Sequence, residues 1–159
     1  MLRIGQDIHD AIVGHARRDH PDEACGIVAG TDGSDAPTRH VPMLNAERSP
    51  TFFRFDSTEQ LKVWRDLDDR QEVPIVIYHS HTATGAYPSR TDIDLAFEPD
   101  AHYVLVSTAD CGNDAGPVEF RSYKIVDGVV IEEEVDLVAS VAARNCVGTR
   151  LKGHEPHGG

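Results

Sequence analysis

Residues Val73 to Tyr78 form the most apolar strand-like run in the chain, and the run ends in His79-Ser80-His81. Alternate side chains of a strand point to one face, so the two imidazoles project together while Ser80 turns away. The middle of the chain is thereby committed to a strand that carries chemistry at its end. Asp92 follows after a ten-residue gap whose first part, Thr82 to Pro88, is rich in small and turn-forming residues. It is placed to supply a third ligand from the first turn of a following helix. Three protein ligands leave one tetrahedral position for water, the arrangement of a catalytic rather than a structural zinc. Two bland readings stand beside this one. Paired histidines occur on strand faces without a metal, and an acid in a helical first turn is stabilised by the helix dipole alone.

The chain has 159 residues, of which 40% are hydrophobic, enough for one packed core. One domain over residues 1–146 is expected, with residues 147–159 a disordered tail in which His154 and His157 are solvated. Fifteen Lys and Arg against 27 Asp and Glu give a net charge of -12. That balance repels phosphate backbones and anionic lipid, so neither nucleic acid nor membrane is an expected partner. Three cysteines, Cys25, Cys111 and Cys146, have no zinc-finger spacing and make no disulfide framework. The N-terminus turns polar before a signal-peptide core can form, and no stretch approaches the roughly 20 apolar residues of a membrane helix. A cytoplasmic location is expected, and the sequence leaves the oligomeric state open.

Ile4, Ile8, Ala11, Ile12 and Ala16 recur at helical spacing, which predicts an amphipathic helix over about residues 6–19, stopped near Pro21. Ala24 to Ala29 reads as a buried strand, and Thr31 to Asp35 as a turn into a strand over Arg39 to Leu44. Phe52 to Phe55 reads as one more strand. Ser57 with Gln60 suggests a capped helix whose Leu61, Trp64 and Leu67 line one face and cover the sheet. Ser89-Arg90-Thr91-Asp92 repeats the Ser-x-x-acid pattern before Ile93 and Leu95. Tyr103 to Val106, Glu119 to Ile125 and Val129 to Val135 read as strands, the last two joined at Asp127-Gly128. Leu137 to Cys146 suggests a C-terminal helix. The order implies an α/β (α+β) three-layer sandwich.

Hydrolysis needs a base as well as a Lewis acid, because the attacking water loses a proton and the leaving amine gains one. Glu23, in His20-Pro21-Asp22-Glu23-Ala24-Cys25-Gly26, is the candidate, since a helix-to-strand junction can aim a side chain over a sheet's end. Taken alone it is also an ordinary surface acid. Ser89 has two compatible roles, helix cap and hydroxyl donor to an oxyanion. Cys25, a small residue in an apolar strand, reads as an inert core thiol.

Glu23, His79-Ser80-His81, seven residues, Ser89, two residues and Asp92 match the signature E…H-S/T-H-x7-S-x2-D at every position. The chain therefore resembles the JAMM (MPN+) metalloproteases. The span from about His15 to Asp136 is similar to the actinobacterial branch that releases cysteine from a sulfur carrier, notably at Ala16 to Gly26, Asn45 to Phe52, Tyr78 to Thr84 and Ala101 to Thr108.

The resemblance implies a single JAMM/MPN-type domain, a central mixed β-sheet flanked by helices in a cytidine-deaminase-like sandwich. It implies Zn2+ on His79, His81 and Asp92, Glu23 as general acid/base and Ser89 as oxyanion donor. It further implies a partner: a ubiquitin-like sulfur-carrier protein with a C-terminal Gly-Gly, from which a zinc metallopeptidase frees an attached L-cysteine in cysteine biosynthesis. The short gaps around the signature favour a small carrier over ubiquitin chains. A Gly-Gly tail enters extended and is best held by strand addition, along the loop Thr82 to Pro88 or the segment Ser49 to Phe55. Thr82 and Tyr87 are the substrate-binding candidates of that loop. The alternatives are an isopeptidase acting on another ubiquitin-like carrier or tag, and a non-catalytic MPN scaffold.

Overall fold

The computed structural model describes residues 1–114 and 116–140. Strand β1 (Leu2–Gly5) leads directly into α1 (Gln6–Asp19), followed by β2 (Cys25–Thr31) and β3 (Arg39–Met43). Helix α2 (Ser57–Arg70) precedes β4 (Glu72–His81). A short α3 (Arg90–Asp94) and strands β5 (His102–Ser107), β6 (Glu119–Val126), β7 (Val129–Glu133) and β8 (Val135–Val138) complete the order. Six strands form one sheet in the order β3-β2-β4-β5-β6-β7, while β1 and β8 pair separately and in parallel. This is the mixed sheet flanked by helices that the family resemblance implies. Among the described residues, no helix is long and apolar enough to cross a membrane.

Helix α1 turns Ile8, Ile12, Val13 and Ala16 inward, onto a face of the sheet built from Val28, Val76, Tyr78, Val104 and Val106. The opposite face, with Cys25, Ile27, Ile77, Leu105, Tyr123 and Ile125, packs against Leu67 of α2 and half-buried Trp64. Strand β4 is covered on both sides, which is why its sequence is apolar almost without interruption. Within the large sheet, β4 and β5 are the parallel pair. Their crossover, residues 82–101, must therefore travel back past the end of β4, and it carries α3 over the two histidines.

Several local expectations are corrected. Asp56, not Ser57, caps α2, accepting a hydrogen bond from the Glu59 amide at 2.9 Å. Leu61 is 52% exposed and lies off the packed face. Phe52 to Phe55 is not a strand; it makes a single bridge, Asn45 to Phe55. Its backbone is served instead by the Asn45 side chain, bonded to the Phe52 carbonyl and the Arg54 amide. The run Val129 to Val135 breaks after Glu133, and β8 leaves to pair with β1, a strand too short to show periodicity. Leu137 and Val138 belong to β8 rather than to a helix, and the remainder of that expected helix from residue 141, Cys146 and the tail lie outside the described residues.

Candidate active site

The last three residues of β4 are all buried. His79 and His81 face the α2 side, and Ser80 turns the other way, accepting the Ala24 amide at 2.8 Å. The crossover brings Asp92 back to the pair. The Nε2 atoms of His79 and His81 are 3.2 Å apart, and Asp92 Oδ2 lies 3.2 Å from the first and 3.1 Å from the second. Ligands about 2.0–2.1 Å from a tetrahedral ion are about 3.3 Å from one another, so this triangle fits one face of a zinc coordination shell. The ligand chemistry agrees, with two imidazole nitrogens and one carboxylate oxygen converging on a point.

Each ligand is held by a contact of its own. His81 Nδ1 donates to the Gly85 carbonyl at 2.9 Å, which leaves Nε2 as the lone-pair nitrogen, the usual outer contact of a metal-binding histidine. The His79 ring stacks on Phe53 with centroids 4.3 Å apart. Asp92 is fixed by a reciprocal capping box, in which Ser89 Oγ accepts the Asp92 amide at 3.2 Å and the Ser89 amide donates to Asp92 Oδ2 at 2.7 Å. Burial opposes charge on Asp92, but the His79 and His81 rings, which donate to it whenever their Nε2 atoms carry a proton, hold it well below the usual carboxylate range. Burial pushes His79 down, keeping it neutral and free to ligate.

Glu23 is brought to the cluster by strand pairing. Cys25 is paired with His79 in the antiparallel β2–β4 ladder, and the Ser80 amide donates to the Ala24 carbonyl at 2.9 Å. One step further, the same register sets Glu23 opposite His81 on the same face. Its side chain is 5% exposed. Burial raises its pKa to about 7, with His81 pulling down and Asp92 pushing up, which is the poise expected of a general acid/base. Ser89 is exposed beside the cluster. Accepting at the cap leaves its own O–H available to a ligand, so its two roles coexist.

Of the predicted residues, then, His79, His81, Asp92, Glu23 and Ser89 are gathered at one place. Thr82 and Tyr87 are not. Thr82 ties two loops, donating to the Pro50 carbonyl at 2.9 Å, and Tyr87 is 59% exposed with its ring against Tyr123. Next to His79 and Asp92 opens an apolar cavity of about 300 Å³, walled by Phe53, Phe55, Trp64, Pro88, Leu95 and Phe97 among others. Both segments proposed to guide an extended peptide border it, through Phe53–Phe55 and Pro88. Cys25 is buried with its thiol against the Met43 carbonyl, and burial pushes it up to about 12, as an inert core thiol requires. Phe53 and Asn45 were not singled out in the sequence. An aromatic near a histidine in space leaves no local signal, and the asparagine's partners are 22 and seven residues away.

Comparison with known proteins gives the chain's relatives. The family model described as prokaryotic homologs of the JAB domain matches residues 5–126. The chain is 67% identical over 138 residues to the CysO-cysteine peptidase of Mycobacterium tuberculosis, covering 87% of this chain and 92% of that protein. It is 29% identical over 111 residues to the desampylase of Haloferax volcanii, covering 67% of this chain and 80% of that one. A solution structure of a Desulfitobacterium hafniense protein superposes with a TM-score of 0.74 at 33% identity, over 87% of this chain and 94% of the other.

Proposed function

The chain belongs to the family of prokaryotic homologs of the JAB domain, and on that footing we propose that it is a zinc peptidase that releases L-cysteine from the Gly-Gly end of a small ubiquitin-like sulfur carrier. The observation that carries the reading is the 3.1–3.2 Å triangle of His79, His81 and Asp92 with a buried, proton-poised Glu23 set opposite His81. The choice of substrate is supported by the 67% identity to a CysO-cysteine peptidase. A cytoplasmic setting suits free, unpaired Cys25 and Cys111.

His79 Nε2, His81 Nε2 and Asp92 Oδ2 are the atoms that would hold a zinc ion. Bound there, it would supply Lewis acidity to the scissile carbonyl and to the attacking water. Glu23 takes the proton from the attacking water and returns it to the departing amine of cysteine. No covalent enzyme intermediate is needed. Ser89 donates its hydroxyl proton to the developing oxyanion. The apolar cavity and its bordering segments, including the loop of Thr82 and Tyr87, hold the carrier's extended tail and exclude water around the peptide bond.

The test is mass spectrometry of carrier-cysteine, carrier-lysine and free carrier after incubation with the enzyme, with and without chelator. Chelator-sensitive loss of cysteine is expected. Preferential cleavage of carrier-lysine would move the assignment to an isopeptidase, and no cleavage of either with no bound metal would favour a scaffold. In the same assay Glu23→Gln should retain zinc while losing roughly 10²–10⁴-fold in rate. His81→Ala should lose both.

A further inference from the structure

Segment 45–55 touches Glu23, His79 and the loop that follows β4. Ser49 accepts the Glu23 amide at 2.8 Å, the Pro50 carbonyl accepts the Thr82 hydroxyl, and Phe53 stacks on His79. One side chain organises that segment. Asn45 Nδ2 donates to the Glu23 carbonyl and to the Phe52 carbonyl, each at 3.0 Å. Its Oδ1 accepts the Glu47 amide at 3.1 Å and the Arg54 amide at 3.2 Å. An asparagine side chain has two N–H groups and two acceptor lone pairs, and all four are used here. A surface turn needs no such saturation.

We propose that Asn45 is a positioning residue of the peptidase, acting through Glu23 by pinning that residue's carbonyl to the segment that also stacks on the metal ligand His79. The geometry leaves Glu23 little freedom. Its amide is held by Ser49 and its carbonyl by Asn45, while both backbone groups of the next residue, Ala24, are bonded to Ser80 of β4. Catalysis of proton transfer is sensitive to such placement, a misplacement of about 1 Å costing on the order of 10²-fold. Asn45→Asp keeps an acceptor oxygen at Oδ1 but replaces both donors with a second acceptor. The two carbonyls of Glu23 and Phe52 are then released.

The inference rests on the peptidase reading, so its test has one arm that needs no substrate. Amide hydrogen exchange at Glu23 in the zinc-loaded protein should quicken by about tenfold or more in Asn45→Asp, while the helix α1 amides keep their protection. In the second arm, Asn45→Asp should lower kcat by about 10²-fold with KM and zinc content unchanged. Introduced into Glu23→Gln and followed in single turnover, the same substitution should have almost no effect, because the group it positions is gone. A wild-type kcat in Asn45→Asp, an equally large loss in the Glu23→Gln background, or unchanged exchange at Glu23 would each overturn the proposal. A wild-type enzyme that cleaves no carrier, together with quickened exchange in the variant, would instead indict the proposed reaction and leave the clamp standing.

Discussion

The burial of Glu23 makes a quantitative demand on folding stability. Its carboxyl is carried from an ordinary value of 4.5 to about 7, chiefly by burial. A raised value means that the folded chain binds the proton more tightly than the unfolded chain. The stability contributed by that proton is complete below about pH 4.5 and is lost as pH rises through about 7. At roughly 1.4 kcal/mol per pH unit the whole effect is on the order of 3 kcal/mol, most of it falling between pH 5 and pH 8. Glu23→Gln removes the titration and keeps the shape. Urea unfolding of both proteins, stripped of metal and followed at half-unit intervals, isolates this carboxyl because the other groups largely cancel in the difference. The variant should gain on the wild type by on the order of 2–3 kcal/mol from pH 5 to pH 8. Restoring zinc should flatten the difference, since a nearby cation favours the ionised carboxylate. A difference that stays within about 0.5 kcal/mol over the whole range without metal would refute the claim that Glu23 sits buried against the ligand cluster.

Two further substitutions probe the frame around the site. Ser89→Ala removes both the cap on α3 and the hydroxyl beside the metal triangle, so about 1 kcal/mol of thermal stability and on the order of 10²–10³ in kcat should go together. Thermal melting and steady-state rates separate the two losses, and a normal kcat would leave Ser89 as a cap alone. On the opposite face of β4, Tyr78 Oη bonds His15 at 2.6 Å and His40 at 2.8 Å, with Gly26 so close that an added Cβ would lie 2.5 Å from that oxygen. Tyr78→Phe strands a buried nitrogen of His15 and a part-buried one of His40 and should cost about 1–3 kcal/mol, and Gly26→Ala should cost about as much by overpacking, both read by chemical denaturation. Stability equal to wild type in Tyr78→Phe would show the trio to be wetter than its burial indicates.

The cluster at the histidine end of β4 was legible because two local rules overlap there. Period-two alternation places His79 with His81, and a Ser-x-x-acid cap orients Asp92, each readable within a dozen residues. Glu23 was legible as an acid at a helix-to-strand junction and as a motif position, but not as a neighbour of His81. What sets it opposite His81 is the β2–β4 register, a long-range pairing that no window of sequence contains. The α2 cap was misplaced by one residue because Asp56 and Ser57 are both capping types, and the choice fell to the carboxylate that reaches the Glu59 amide. Phe52 to Phe55 has the alternation of a strand because Phe53 and Phe55 both line the cavity, yet two of its backbone groups bond the Asn45 side chain and only the Arg54 carbonyl takes a backbone amide, that of Ala46. Strand β1 was missed because four residues show no period, and its partner β8 lies at the far end of the described chain.

The spacing of the parts also dictates an order of assembly. His79 and Asp92 are 13 residues apart and joined by one crossover, whereas Glu23 must be recruited from 56 residues upstream. Loop-closure entropy makes the second juncture costlier by about 1.3 kcal/mol, and it also waits for β2 to dock. A refolding chain can thus gather His79, His81 and Asp92 before Glu23 joins them, so that the full constellation is complete only once β2 has paired with β4.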